Sequence, residues 1–182
     1  MNKQELWQEY SINGTPLANG GLIARAKPSA PNAITGVAMV WLFRRTEQGI
    51  ELLFQKRSQF VNRYAGDYDV SAGGHINYQE SPVDGAIREA LEEIGAKITP
   101  DDLHFLFSFA IATSLRYIFC VDWTNRPSEF HYSDQEVEQI VWVPLSQARS
   151  FISRYAKAPL AQDEIHINIL FNWLKSQDFS EL

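Results

Sequence analysis

The sequence predicts an α/β fold in which helices sandwich a mixed β-sheet. Three observations lead there. Apolar, β-rich runs lie on both sides of the chain's middle, a single amphipathic helix pattern is inserted between them, and two further helical patterns close the chain. At 182 residues the chain has the length of one domain with a substantial core, and 45% hydrophobic with 21% charged residues is ordinary globular composition.

Residues 1–33 read as an N-terminal hairpin and linker, and residues 34–176 as the main domain. Asn13-Gly14, flanked by Tyr10, Ile12 and Leu17, is a hairpin turn signal. The following NGG and the PSAP segment around Pro28 and Pro31 read as the linker. Ile34 to Phe43 is nearly continuous apolar sequence, as in a buried strand; TEQG turns, and Ile50 to Gln55 returns.

The stretch KRSQFVNRYAGDYD then reads as a loop carrying a basic cluster, Lys56, Arg57 and Arg63. Two uses are open for it: binding phosphate oxygens, which Arg forks match, or meeting the acidic helix that follows as solvated ion pairs. Phe60, Tyr64 and Tyr68 also have two uses, stacking on a base or closing the core, and core packing is the commoner one. DYDVSA is strand-like, and a loop starts at Gly73-Gly74.

Ser81 caps the central helix, Pro82 opens it at the position that needs no amide hydrogen, Asp84 places negative charge in the first turn, and Gly95 stops it. Val83, Ala86, Ile87, Ala90, Leu91 and Ile94 make its apolar stripe. Arg88, Glu89, Glu92 and Glu93 lie on the other side, and Glu89 neighbours both Glu92 and Glu93 at helical spacing. Three carboxylates near a helix C-terminus repel one another and oppose the macrodipole. Either the face is solvated, or a hard divalent cation such as Mg²⁺, which takes oxygen ligands, reverses the sign.

Beyond the helix, Leu103 to Thr113 and Leu115 to Trp123 read as strands, with Cys120 packed inertly in the second. The polar segment TNRPSEFHYSDQEVEQ leads to a short strand, IVWVP, and Leu145 to Ala156 and Leu160 to Ser176 read as helices.

From Gly74 the order is five residues, Glu80, seven residues, then Arg88-Glu89-Ala90-Leu91-Glu92-Glu93-Ile94-Gly95-Ala96. This resembles the Nudix hydrolase signature, Gly-x5-Glu-x7-Arg-Glu-U-x-Glu-Glu-x-Gly-U with U aliphatic. All seven fixed residues stand at the right spacing, a match with a probability on the order of 10⁻⁸ at a given start. The U positions hold Ala90 and Ala96, smaller than the usual Leu, Ile or Val. The resemblance covers roughly residues 34–170, with the motif at 74–96, and implies the same α/β/α sandwich.

The resemblance also implies roles. Glu89, Glu92 and Glu93 would hold Mg²⁺ (or Mn²⁺), joined by the Gly73 carbonyl, while a salt bridge between Arg88 and Glu80 would orient Glu89. Several family members take a general base from a later loop before a tryptophan-containing strand. Here SDQEVEQIVWVP offers Glu136 first and Glu138 second, and Glu93 itself is a third choice. Arg57 and Arg63 are candidates for substrate phosphate. The histidines, His75, His104, His131 and His166, show no pairing at metal-ligand spacing, and His75 reads as loop surface beside the substrate.

The reaction this implies is hydrolysis of a diphosphate linkage in a nucleoside diphosphate joined to a group X, by water attack on phosphorus. The flanks LLFQKRS and AGDYDVSAGGHI resemble the branch that includes isopentenyl-diphosphate isomerase. That isomerase needs an early Cys and His metal ligands, and ITGVAMVWLF and KRSQFVN contain neither. A non-catalytic ligand-sensing Nudix module is the other competitor, and such modules typically lose motif glutamates that this chain keeps.

Net charge −6 argues against a nucleic acid polymer or an anionic membrane as partner. One cysteine excludes an internal disulfide framework. No basic-then-apolar start and no run of 18 apolar residues occurs, so a cytoplasmic enzyme is expected. The partner is then a small-molecule diphosphate; family members are often homodimers.

Overall fold

In the computed structural model, residues 6–23, 32–133, 135–156, 160 and 164–177 are described. The sheet is built around one long strand. Strand β3 (Ile34–Thr46) is continuous because its apolar run contains no proline, and it is met in succession by three antiparallel partners. These are β1 (Leu6–Tyr10) at Thr35, β6 (Ala72–His75) from Val37 to Val40, and β4 (Gly49–Arg57) from Phe43 to Thr46. Strand β8 (Ser114–Asp122) runs parallel to β3 over nine positions, Thr35 to Phe43. The sheet is therefore mixed, as expected.

The remaining strands extend it. Strand β2 (Pro16–Ile23) pairs with β1, β5 (Tyr68–Asp69) and β9 (Val137–Pro144) pair with β4, and β7 (His104–Ile111) pairs with β8. The Asn13-Gly14 hairpin forms and joins this same sheet: Glu9 and Tyr10 register with Thr35 and Ile34, and Tyr10 is buried. Gly36 makes room for it, since a β-carbon there would sit 2.5 Å from the Tyr10 ring. The linker expected around Pro28 and Pro31 lies outside the described residues.

Side-chain alternation along β3 divides two cores. Met39, Trp41 and Phe43 point to one face, where α2 (Leu145–Tyr155) and α3 (Glu164–Ser176) supply Ala148, Ile152, Ile167, Leu170 and Leu174. Ala38, Val40 and Leu42 point to the other, where α1 (Pro82–Ile94) supplies Ala86, Ala90 and Ile94. This is the predicted α/β/α sandwich. Cys120 is buried in the first core, where desolvation pushes its thiol well above the usual range.

Three local expectations are corrected. Lys56 and Arg57 belong to β4, not to a loop, because pairing with β9 continues through Arg57↔Val137. Gly73 and Gly74 lie inside β6, opposite Met39 and Ala38, so the loop starts later. Leu91 is 48% exposed, outside the stripe, because α1 buries the row Ala86, Ala90 and Ile94. Tyr68 packs on Phe151, as core use requires, whereas Phe60 is 71% exposed.

Candidate active site

Helix α1 begins as the sequence dictates. The Ser81 hydroxyl accepts the Asp84 amide, Pro82 occupies the first turn, and Gly95 ends the helix at φ 69°. Its apolar row lies on the sheet, which aims the adjoining row, Gly85, Glu89 and the neighbouring Glu93, toward the end of β6. The result is a cleft of about 980 Å³ between α1, β6, the loop after β4, the segment before β9 and the N-terminal hairpin.

Arg88 organises the acidic side of that cleft. Its Nε and Nη2 donate to Glu80 Oε1 and Oε2 at 2.8 and 2.9 Å, a bidentate fork. Nη1 donates to Glu89 Oε1 at 2.7 Å and to Glu92 Oε2 at 2.9 Å, and Nη2 also reaches the His75 carbonyl at 2.9 Å. Those bonds use all five guanidinium N–H donors. Glu80 is fixed in turn by the Asn77 amide on Oε2.

Glu93 is held differently. Its Oε2 accepts both the Gly73 amide and Gln55 Nε2, each at 2.8 Å, and no donor falls on Oε1 among the described residues. Burial raises its carboxyl to about 8, the neighbouring Glu89 charge adds to the rise, and the Gly73 and Gln55 hydrogen bonds partly oppose it. Glu89 is raised to about 7, mainly by burial, against the pull of Arg88. Glu92 is the exposed member, with 56% of its side chain open to solvent.

Of the three base candidates Glu93 and Glu136 line the cleft, and Glu136 lies close enough for its charge to raise Glu89. Glu138 is turned onto Lys56 at 2.5 Å and onto Gln59. Arg57 and Arg63 both line the cleft, and Arg57 Nε donates to the Arg63 carbonyl. His75 is not loose loop surface: it lies in β6, stacked on Trp7.

The donor set suits a hard divalent cation in kind: carboxylate side chains, with Glu89 buried and Glu93 half-buried, and one arginine shared among Glu80, Glu89 and Glu92. Their present orientations do not form a closed cage. Among the described residues no group of three His, Cys, Asp or Glu side chains converges to hold a metal, because Glu89 and Glu92 turn onto Arg88 while Glu93 turns onto Gln55 and Gly73.

The sequence reading gave no site role to Gln55, which holds Glu93 from β4, or to Trp7 and Glu9, which line the cleft. Gln55 carried one legible signal, a polar residue closing the apolar run IELLF. Trp7 and Glu9 carried none, since only the sheet brings β1 beside the motif.

Comparisons with known proteins bear on the family and the fold. A family model of the NUDIX domain matches residues 34–166. Nudix hydrolase 3 of Arabidopsis thaliana is 29% identical over 136 residues, 68% of this chain but 17% of that protein. The chain spans 17% and 30% of the lengths of the curated relatives it matches. Among solved structures, DR0079 of Deinococcus radiodurans superposes with TM-score 0.70 at 20% identity, covering 93% of this chain and 99% of that one. The NUDIX domain of Shewanella oneidensis NrtR, complexed with ADP ribose, gives 0.58 at 20% identity, covering 83% of this chain and 95% of that one.

Proposed function

The chain belongs to the Nudix hydrolase family, and from that premise we propose that it is a Mg²⁺-dependent hydrolase of a diphosphate linkage in a nucleoside diphosphate joined to a group X. The observation that carries this reading is the saturated Arg88 fork. One cation is spread over Glu80, Glu89 and Glu92, and burial leaves Glu89 and Glu93 short of positive charge.

Glu89, Glu92 and Glu93, with the Gly73 carbonyl, would hold the metal, and Mn²⁺ has the same ligand preference. When bound, the metal supplies charge neutralisation for the phosphoryl oxygens and acidifies water. The protein's own groups do the rest. Glu80 fixes Arg88, which fixes Glu89; Gln55 and the Gly73 amide fix Glu93 through one oxygen and leave the other for the cleft. Glu136 is the favoured acceptor of the attacking water's proton, because it shares the cleft while Glu138 is engaged by Lys56. Arg57 at the end of β4 and Arg63 in the loop that follows meet substrate phosphate. Cytoplasmic residence fits this reading, and no described helix is long and apolar enough to cross a membrane.

The test is release of phosphate or nucleotide from a panel of nucleoside triphosphates, sugar nucleotides, dinucleotides, coenzyme A and prenyl diphosphates, with Mg²⁺. Wild type should turn over at least one diphosphate, and Glu93→Gln should abolish it. Prenyl isomerisation without hydrolysis, or ligand binding with no turnover on any member, would overturn the hydrolase reading.

A further inference from the structure

Two cleft residues, Trp7 and Glu9, come from outside the stretch that matches the family model. They are held there by the motif itself. The Gln8 amide donates to the Ile76 carbonyl at 2.8 Å, the Tyr78 amide to Leu6 at 2.9 Å, and the Gln79 amide to Gln8 Oε1 at 3.0 Å. The Tyr78 hydroxyl adds a bond to the Ala18 carbonyl at 2.8 Å. Strand β1 and the first residues of the motif are therefore bonded directly to each other.

This clamp lays the Trp7 indole flat on the His75 imidazole, with ring centroids 3.5 Å apart and planes 4° from parallel. Trp7 and His75 both line the cleft, and the His75 carbonyl is one of the acceptors of Arg88. One residue thus joins the ring pair to the carboxylate cluster. The indole meets the imidazole through one face, and its polar edge adds no anchor, since Trp7 Nε1 is buried without a hydrogen-bond partner.

We propose that the Trp7–His75 pair is the recognition surface for a planar heteroaromatic ring, the nucleobase of the substrate; this rests on the diphosphate reading above. A parallel ring pair fixed by backbone bonds offers a preorganised π surface. Every base has a π face to lay on it, whereas a sugar or a prenyl chain gains less from such a wall. The hairpin is then a specificity element added to the family domain.

The experiment is isothermal titration in Mg²⁺ with two non-hydrolysable probes, methylenediphosphonate and α,β-methylene-ADP, which differ by the adenosine. Wild type should bind the nucleotide more tightly. Trp7→Ala should erase about tenfold to hundredfold of that preference, and Trp7→Phe should keep most of it. Trp7→Leu, which refills apolar volume, replaces the alanine variant if that one does not fold. Equal affinity for the two probes in wild type, or a full preference retained without the indole, overturns the inference. Binding of neither probe sinks the diphosphate reading instead, and this inference falls with it.

Discussion

Glu89 lies over Gly74 so closely that no side chain fits between them: a β-carbon on Gly74 would stand 2.7 Å from Glu89 Oε2 and closer still to Oε1. Gly74 needs no unusual backbone, since it sits in a regular strand opposite Ala38. Its smallness serves the carboxylate. Gly74→Ala should therefore leave β6 paired but push Glu89 off Arg88 and out of position. The expected result is a loss of about 10- to 100-fold in kcat or in Mg²⁺ affinity, with a nearly unchanged melting temperature. Steady-state kinetics across a Mg²⁺ titration, beside thermal denaturation, reads both.

Arg88→Lys keeps the charge and discards the geometry. Lysine has three donors on one atom and cannot span Glu80, Glu89, Glu92 and the His75 carbonyl at once. The part-buried Glu80 carboxylate loses its fork, so stability should fall by about 1–3 kcal/mol, and kcat by about 10- to 100-fold. Gln55→Ala acts on the other arm of the site. It removes one of two donors to Glu93 and should lower kcat more than it raises KM. Equal kcat in the Gln55 variant would show that the Gly73 amide alone is enough.

The raised carboxyls give a pH dependence with a definite sign. Glu93 and Glu89 titrate at about 8 and about 7 in the fold, against an unfolded value of about 4.3. A group whose folded pKa is raised favours the folded state when protonated. Its contribution is complete below about pH 4 and is lost as pH rises through the folded value. In chelator, stability should thus decline between about pH 5 and pH 8. Added Mg²⁺ should raise the melting temperature more at pH 8 than at pH 6, with proton release on binding. Melting curves at both pH values check this, and an equal Mg²⁺ effect at the two would contradict it.

What the sequence made legible follows the range of the forces involved. Helix α1 could be read to its ends because its signals are local: Ser81, Pro82 and Gly95 act within one turn. The acidic row followed from spacing alone. The limits of β4 did not, since Lys56 and Arg57 are strand through partners elsewhere in the chain: Gln139 and Val137 of β9 for the two, and Tyr68 of β5 for Lys56. Gln55 meets Glu93 across 38 residues, and Trp7 meets His75 across the sheet. Neither contact leaves a periodicity to find. Leu91 was misread for a related reason: the width of a helix's buried stripe is set by the sheet beneath it, and here Leu91 falls at the exposed margin.

Ala90 shows the same dependence from the side of packing. The signature tolerates larger aliphatic residues there, yet Ala90 is fully buried in the core shared with Ala38, Val40 and Leu42, and Ala86 one turn earlier is buried too. Two small residues on one row let α1 lie close to the sheet, and that closeness brings Glu89 and Glu93 to the end of β6. Ala90→Leu should overpack this contact and cost about 1–3 kcal/mol, or about 2–4 °C of melting temperature per kcal/mol in a domain of this size. Because the helix must lift to admit the added carbons, the Gly73 amide bond to Glu93 should lengthen. Catalysis should then fall beyond what unfolding explains. A higher melting temperature in this variant would instead reveal space beneath α1, and would separate the approach of the helix from the size of Ala90.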